Sequence, residues 1–475
     1  ISQLNPLILK TSVMSKNNLF FFCTIIFMLA HSVWAQVLPT EEPTYENNAL
    51  HPCITNEEYN IIDQRILQNL KRLKIIIPNT PLLKVSLAWP LKPNDSLKDC
   101  SYYRISAYVD QNTSSGAFQD YNCGTNTYDA HKGTDISIWP YNFYKMDHNL
   151  VEVIAAATGT IVDKHDGEFD KNCASTSMMA NYLVIRHEDG SQALYFHMKK
   201  NSLTAKGIGD KILAGEHVGF VGSSGNSSGP HLHFEVWSGS TSATLIDPFA
   251  GNCNKLNNTG WWENQKAYNE TTLVKVSTNT TDIVIPACPG TEVPNEARIF
   301  KIPFQGSGLP AGFAKFYIFI RNEVNGMTGD MQILNPDRSL FASWTYSSTM
   351  DSKTRIQGWS KKLPTVDGRY YFRANYNGQI CEDSFEIKVP LNNSNIKPFE
   401  DLHVQPNPVT DKLCIDLENY EGVWFDMYEL TGRKILSTKI IEAHTEIHPA
   451  LKSGIYFIEF HSESGFHRLE KILVE

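Results

Sequence analysis

The sequence has no surplus of basic charge. Its 42 Lys and Arg stand against 51 Asp and Glu in 475 residues, a net charge of -9, so there is little cation to spare for phosphates and nucleic acid is a poor electrostatic partner. No apolar run is long enough to cross a bilayer. The longest, Leu19 to Ala30, is about a dozen residues where about 20 are needed. No two cysteines are spaced CxxC, there is no HExxH motif and there is no convincing tandem repeat. Disorder is excluded by the 24 Phe, 20 Tyr and 9 Trp, which suit a β-rich globular chain. At roughly 100 to 200 residues per domain, the length predicts two to four folded units.

The short apolar run follows Lys16 and precedes Val33-Trp34-Ala35, a small-x-Ala pattern ahead of Gln36. It reads as a secretory signal peptide over residues 14–35, with Met14 the expected start and residues 1–13 upstream translation. Loss of Cys23 with the signal leaves Cys53, Cys100, Cys123, Cys173, Cys253, Cys288, Cys381 and Cys414. In an exported protein these read as structural disulfides or buried thiols rather than metal ligands. Connectivity is open, although Cys100–Cys123 and Cys288–Cys381 would each stay within one expected domain.

Residues 36–85 are expected to form a linker and a helix. Thr55-Asn56-Glu57-Glu58 has capping-box spacing, and Tyr59, Ile62, Ile66, Leu70 and Leu73 recur every three or four residues, so the spacing predicts an amphipathic helix over 56–75. From 86 to 252 the pattern turns to short β runs between glycine turns, including Val151–Ala156, Tyr182–His187, Ala193–His197 and His231–Trp237. Asn254–Asp282 reads as an irregular boundary. Seven short strands over 283–390 predict a β-sandwich accessory domain, and 399–475 a small second one. Trp344, Tyr346, Trp359, Tyr370 and Tyr371 in the middle block read as core aromatics rather than a binding face. The expected fold is mainly β.

Chemistry concentrates in His131-Lys132-Gly133-Thr134-Asp135, in Tyr195-Phe196-His197 and in Gly229-Pro230-His231-Leu232-His233. At about 3.3 Å per strand residue, His231 and His233 share a face about 6 to 7 Å apart. His131 and Asp135 would lie about 13 Å apart on a straight strand, too far to share an ion, so the chain must turn between them, and Gly133 permits it. Two histidines and one carboxylate form the ligand set of many hydrolytic zinc sites, in which an open position activates water. Histidines left over after ligation would move protons. On the same faces, Glu235 reads as a solvated or structural carboxylate and Tyr195 as a packed tyrosine. His165, His187 and His217 read as surface or core residues.

With Gly209, Gly215, Gly219 and the Gly222–Pro230 segment leading into His231-Leu232-His233, the sequence from about Trp89 to Pro248 resembles the M23 (LytM/lysostaphin-type) zinc metallopeptidases. The resemblance implies an antiparallel β domain in which His131 and Asp135 of HxxxD and His233 of HxH bind one Zn2+, with His197 and His231 as the non-ligand catalytic histidines. Spacing alone leaves His231 and His233 interchangeable. Two departures, the insertion between Gly167 and Asn181 and the long Tyr141–Asn149 segment, are expected on loops near the site.

Pro406-Asn407-Pro408-Val409, Tyr428–Lys434, Ser453–Phe457 and Lys471–Glu475 resemble a type IX secretion sorting domain. That implies recognition by secretion machinery at a Gram-negative outer membrane, removal afterwards, and a secreted or cell-surface location. The resulting expectation is a secreted zinc metalloendopeptidase acting on peptidoglycan stem or cross-link peptides. The alternatives are a catalytically silent binder or regulator on the same fold, and an endopeptidase for Gly-rich extracellular proteins.

Overall fold

A computed structural model describes residues 35–37, 53–75 and 84–475, apart from 175, 287, 289–291, 390–398, 400, 419, 449 and 463–466. The expected signal lies, Ala35 excepted, outside them. The chain is mainly β and divides into two compact units, 1–389 and 390–475. Among the described residues no helix is long and apolar enough to cross a membrane.

The first unit opens with helix α1, Asn56–Arg72. The Thr55 hydroxyl accepts from Glu58 N while the Glu58 carboxylate accepts from Thr55 N, so the predicted capping box is formed. The helix stops three residues short of the expected end, where Lys74 turns to φ 56°. Behind it lies an antiparallel sheet built from β1 (Arg104–Ala107), β2 (Thr134–Ser137), β3 (Gly159–His165), β4 (Tyr182–His187), β5 (Gln192–Phe196), β6 (Lys211–Ile212), β7 (His231–Trp237) and β8 (Leu245–Ile246). The order is β1-β2-β7-β5-β4-β3-β6, with β8 on β7.

Strand alternation gives this sheet two unlike faces. Leu232, Phe234, Val236, Leu183, Ile185, Ala193 and Tyr195 point into the main core. Tyr182, Val184, Leu194, Phe196 and Trp237 point the other way, against Ile54, Tyr59, Ile62, Ile66 and Leu70 of the helical segment. The helix therefore lies on the same face as the even-numbered partners of the HxH strand. Arg65 pairs with the buried Asp163 at 2.8 Å, Asn69 Nδ2 donates to Val162 O at 2.9 Å, and Asp63 accepts from Ser242 N at 2.8 Å.

The rest of this unit is a sandwich. One sheet joins Thr272–Asn279, Phe313–Glu323 and Ser352–Lys362, with Ala35–Val37 on its edge; the other orders Ile299–Lys301, Gln379–Lys388, Gly368–Tyr376, Thr328–Leu334 and Leu340–Ser347. Thr272–Asn279 falls inside the stretch expected to be irregular. Its Leu273 and Val276 are buried in the sandwich and its Val274 in a cluster with Trp139, Tyr141 and Phe319, so tertiary packing overrides its polar composition. Trp359 and Tyr370 are core, with Trp344 and Tyr346 packed against them, as read from the strand period, whereas Tyr371 stays half-buried outside the core with Arg338 over its ring.

Among the described residues the disulfides are Cys100–Cys381, Cys123–Cys253 and Cys173–Cys288, so neither Cys100–Cys123 nor Cys288–Cys381 forms. The peptidase-like part and the sandwich are instead stitched together. Asp99 accepts from Lys145 at 2.8 Å and from Lys275 at 2.6 Å, all three buried. The second unit packs a sheet of His403–Gln405, Leu413–Asp416 and His444–Ile447 with one of Val423–Glu429, Lys434–Lys439, Gly454–Ser462 and His467–Val474 around Leu413, Ile415, Phe425, Met427, Ile458 and Phe460.

Candidate metal centre

The strand register assembles the centre. His233 stands opposite Asp135 of β2 on one side and Phe196 of β5 on the other, so the imidazole and the carboxylate share a face. His131 sits just before β2, in a turn that follows Ala130 at φ 60°. Gly133 serves this turn differently from the expectation. Its backbone is not left-handed; what it supplies is room, because a Cβ there would stand 2.5 Å from His233 Nε2.

His233 Nδ1 lies 2.9 Å and His131 Nε2 3.2 Å from Asp135 Oδ1, and the two nitrogens are 3.2 Å apart. The far nitrogen of each ring is tied down. His131 Nδ1 donates to Tyr108 O at 2.7 Å, and His233 Nε2 donates to Glu235 Oε1 at 2.8 Å. These bonds fix the ring orientations and turn the other nitrogen of each imidazole toward Asp135. Glu235 thus departs from its expectation. It is buried and gathers His233, Trp237 Nε1 at 2.8 Å and the Tyr59 hydroxyl, so it orients a candidate ligand.

His197 follows the end of β5 in the left-handed region, φ 61°, which breaks the alternation with Tyr195. The Tyr195 hydroxyl faces the core and accepts from Ala156 N at 2.8 Å, the packed role expected of it. His197 Nδ1 donates to Ser224 O at 2.7 Å, a carbonyl presented by the glycine-rich loop that turns at Gly225, φ 71°. His231 Nδ1 donates to Gly229 O at 2.8 Å. The two rings lie 4.7 Å apart; His197 Nε2 is buried without a hydrogen bond, and His231 Nε2 faces Asp135 Oδ1 at 3.5 Å. The Gly167–Asn181 insertion runs beside this loop, bridging Lys171 to Ser223 and Ala174 to Ser227. The Tyr141–Asn149 segment forms a short helix, α2 (Asn142–Asp147).

Charge in the centre is set by Asp135. Burial favours its neutral form, but His131 and His231 outweigh burial and hold the carboxyl well below its usual range. Burial likewise disfavours charge on the rings, yet the Asp135 carboxylate raises His131 to about 9 and His231 to about 10. Burial dominates at His197 and lowers it. His165, His187 and His217 bond Glu168, Thr158 O and Glu152, away from this cluster.

One member was missed in the sequence. Cys53 Sγ lies 3.7 Å from His233 Nδ1 and touches the Tyr128 hydroxyl. With His131, Asp135 and His233 it offers four ligand atoms within 4.8 Å of one another. Two imidazole nitrogens, a carboxylate oxygen and a thiolate sulfur suit tetrahedral zinc. No spacing connects position 53 to position 131, and the lack of a CxxC pair pointed the cysteines toward disulfides. Cys414, His444 and Glu446 form a second, mostly exposed group in the other unit.

Residues 129–248 match the model of Peptidase family M23, and residues 403–475 that of a secretion system C-terminal sorting domain. The chain thus carries an M23 peptidase domain and a type IX sorting domain, and the latter marks it for export to the cell surface or beyond. It is 39% identical over 66 residues to an uncharacterized metalloprotease of Buchnera aphidicola, 14% of this chain and 17% of that protein. It is 47% identical over 56 residues to the DD-carboxypeptidase/endopeptidase Mpg of Neisseria meningitidis, 12% of each. The chain therefore spans less than a fifth of these curated relatives. Among solved structures it resembles the catalytic domain of the antimicrobial peptidase lysostaphin from Staphylococcus simulans, at 22% identity and a TM-score of 0.21 over 31% of this chain and 89% of that one.

Proposed function

We propose that the protein is a secreted zinc metalloendopeptidase that hydrolyses peptide bonds in peptidoglycan stem or cross-link peptides. The observation that carries this reading is the convergence of His131 Nε2, Asp135 Oδ1 and His233 Nδ1 at mutual distances of 2.9 to 3.2 Å, each ring oriented from behind. These three side chains would hold the ion. Zinc there supplies a Lewis acid that polarises a carbonyl and brings the pKa of a bound water toward about 7. His197 keeps Nε2 for the reaction and His231 turns its Nε2 toward Asp135 at 3.5 Å, with Nδ1 of each spent on a backbone carbonyl. One can take a proton from the attacking water while the other supports the carbonyl oxygen as it gains charge. The peptidoglycan substrate rests on similarity to the peptidoglycan DD-endopeptidase ShyA of Vibrio cholerae, 39% identical over 56 residues, 12% of each protein; export through type IX machinery rests on the sorting domain, and the signal peptide on the apolar run after Lys16.

The test is zinc content together with hydrolysis. The full chain should bind about one zinc at this centre, and His131→Ala or Asp135→Ala should abolish it. Because the Cys53 thiol adjoins the centre, hydrolysis of isolated peptidoglycan peptides and of Gly-rich peptides is measured in the parent and in Cys53→Ser. In the active form His197→Ala should keep the metal and lose about 10²- to 10⁴-fold in kcat. A chain that retains no zinc, or one that cleaves neither class of peptide in either form, would overturn the reading.

A further inference from the structure

We propose that the N-terminal segment holds the enzyme latent: Cys53 is a fourth ligand that closes the metal centre, and helix α1 lies along the site face of the sheet as its mount. This rests on the zinc reading above and adds regulation to it.

Three independent features place Cys53 there. First, its sulfur lies within 4.8 Å of all three ligand atoms, close enough to share one ion with the two imidazoles and the carboxylate. Three protein ligands with an exchangeable fourth position define a catalytic zinc site, and four protein ligands a closed one. Second, the segment that brings it is built into the fold. Ile54, next to Cys53, is buried against the same cluster as Tyr59, Ile62, Ile66 and Leu70. Third, the mount reaches the centre itself, since the Tyr59 hydroxyl bonds the Glu235 that orients His233, and Lys132 of the ligand turn stacks on the Tyr59 ring at 3.9 Å.

The location of the helix supplies the second half of the proposal. His231, His233, Glu235 and Trp237 point to one face of β7, and that face continues across β5 and β4 as Leu194, Phe196, Tyr182 and Val184. A peptide approaching the imidazoles from that side meets α1 lying over those residues. Tyr59, Ile62, Ile66 and Leu70 of α1 are all buried, so the helix is a fixed mount. The short stretch Cys53–Thr55 is the part whose withdrawal would free the fourth position. On binding metal, Cys53 reacts as the thiolate and its proton passes to solvent; the reverse exchange replaces sulfur by water. Cys414, the other free thiol among the described residues, lies in the separate unit with His444 and Glu446, so its variant tells metal bound there from metal bound at Cys53.

The experiment uses the full chain loaded with one equivalent of Co2+ or Zn2+. The cobalt form should show a sulfur-to-metal charge-transfer absorption that Cys53→Ser loses and Cys414→Ser keeps. Zinc should slow alkylation of Cys53 by iodoacetamide at least about tenfold, read by mass spectrometry at that residue. Cys53→Ser should retain zinc and cleave short peptides at least about tenfold faster than the parent, and Ile62→Asp should raise cleavage similarly by undocking the helix. If metal binds with His131 and Asp135 as ligands but the band and the alkylation rate ignore Cys53, the latency proposal fails and the zinc reading stands. If neither parent nor variant binds metal, both fail.

Discussion

Replacing Gly133 by alanine adds one methyl group to the turn between two candidate ligands. The backbone there lies outside the left-handed region, so alanine meets no conformational penalty. The obstacle is the His233 ring, whose Nε2, Cε1 and Cδ2 would lie 2.5, 2.6 and 2.9 Å from the new Cβ. Ordinary contact begins near 3.4 Å, so ring or turn must retreat by about 0.9 Å, several times the roughly 0.2 Å that metal-ligand distances tolerate. The ring cannot yield freely, being held by Glu235 on one nitrogen and facing Asp135 with the other. Gly133→Ala should therefore weaken zinc binding by about 100-fold, near 2.7 kcal/mol, and lower stability by about 1 to 3 kcal/mol through overpacking. Competition against a chromogenic chelator measures the first and denaturant unfolding the second. A variant with the parent's zinc affinity would show that the turn is not pressed against the ring, and the account of Gly133 would be wrong.

Other outcomes follow from the same contacts. Glu235→Gln should weaken zinc binding about 10- to 100-fold, because an amide accepts less strongly from His233 Nε2; equal affinity in metal titrations would remove Glu235 from the centre. Ile66→Ala should cost about 2 to 5 kcal/mol, since Ile66 is fully buried under α1, and a loss well under 1 kcal/mol would mean that the helix is loosely held. Asp247 is pushed from 3.8 up to about 7, first by burial and then by the Asp120 charge. The folded chain binds that proton more tightly than the unfolded one, so its stabilising contribution is whole below pH 4 and is lost as the pH rises through 7. Between those limits the slope approaches about 1.4 kcal/mol per pH unit. Denaturant midpoints from pH 4.5 to 8 should flatten in Asp247→Asn, and an unchanged slope would refute the assignment.

Where a single stretch of chain determines the outcome, the sequence was readable. Thr55 and Glu58 cap a helix through their own side chains, and the HxH pair shares a face because a strand repeats every two residues. Convergence of His131, Asp135 and His233 was accessible only through resemblance, since spacing left His231 and His233 equivalent and only strand register separates them. Cys53 was not legible, because its place depends on how α1 docks on strands that begin only at Gly159. Glu235 was misjudged for a related reason. Its burial comes from Tyr59, which belongs to that same distant helix. The cysteine pairing was hidden because pairing by proximity in sequence presumes separate modules, whereas Cys100 meets a partner 281 positions away.

That longest bridge governs how the chain can be handled and matured. A protease that nicks any exposed loop between Cys100 and Cys381 leaves two pieces still covalently attached, visible as one band until a reductant is added. An excised fragment of residues 86–252 would carry Cys100, Cys123 and Cys173 with no mates, ready to form mixed dimers. Synthesis must also reach the last strand of the sandwich before the first of these sulfurs can be oxidised correctly, so the crosslink is completed only after almost all of the first unit has been made.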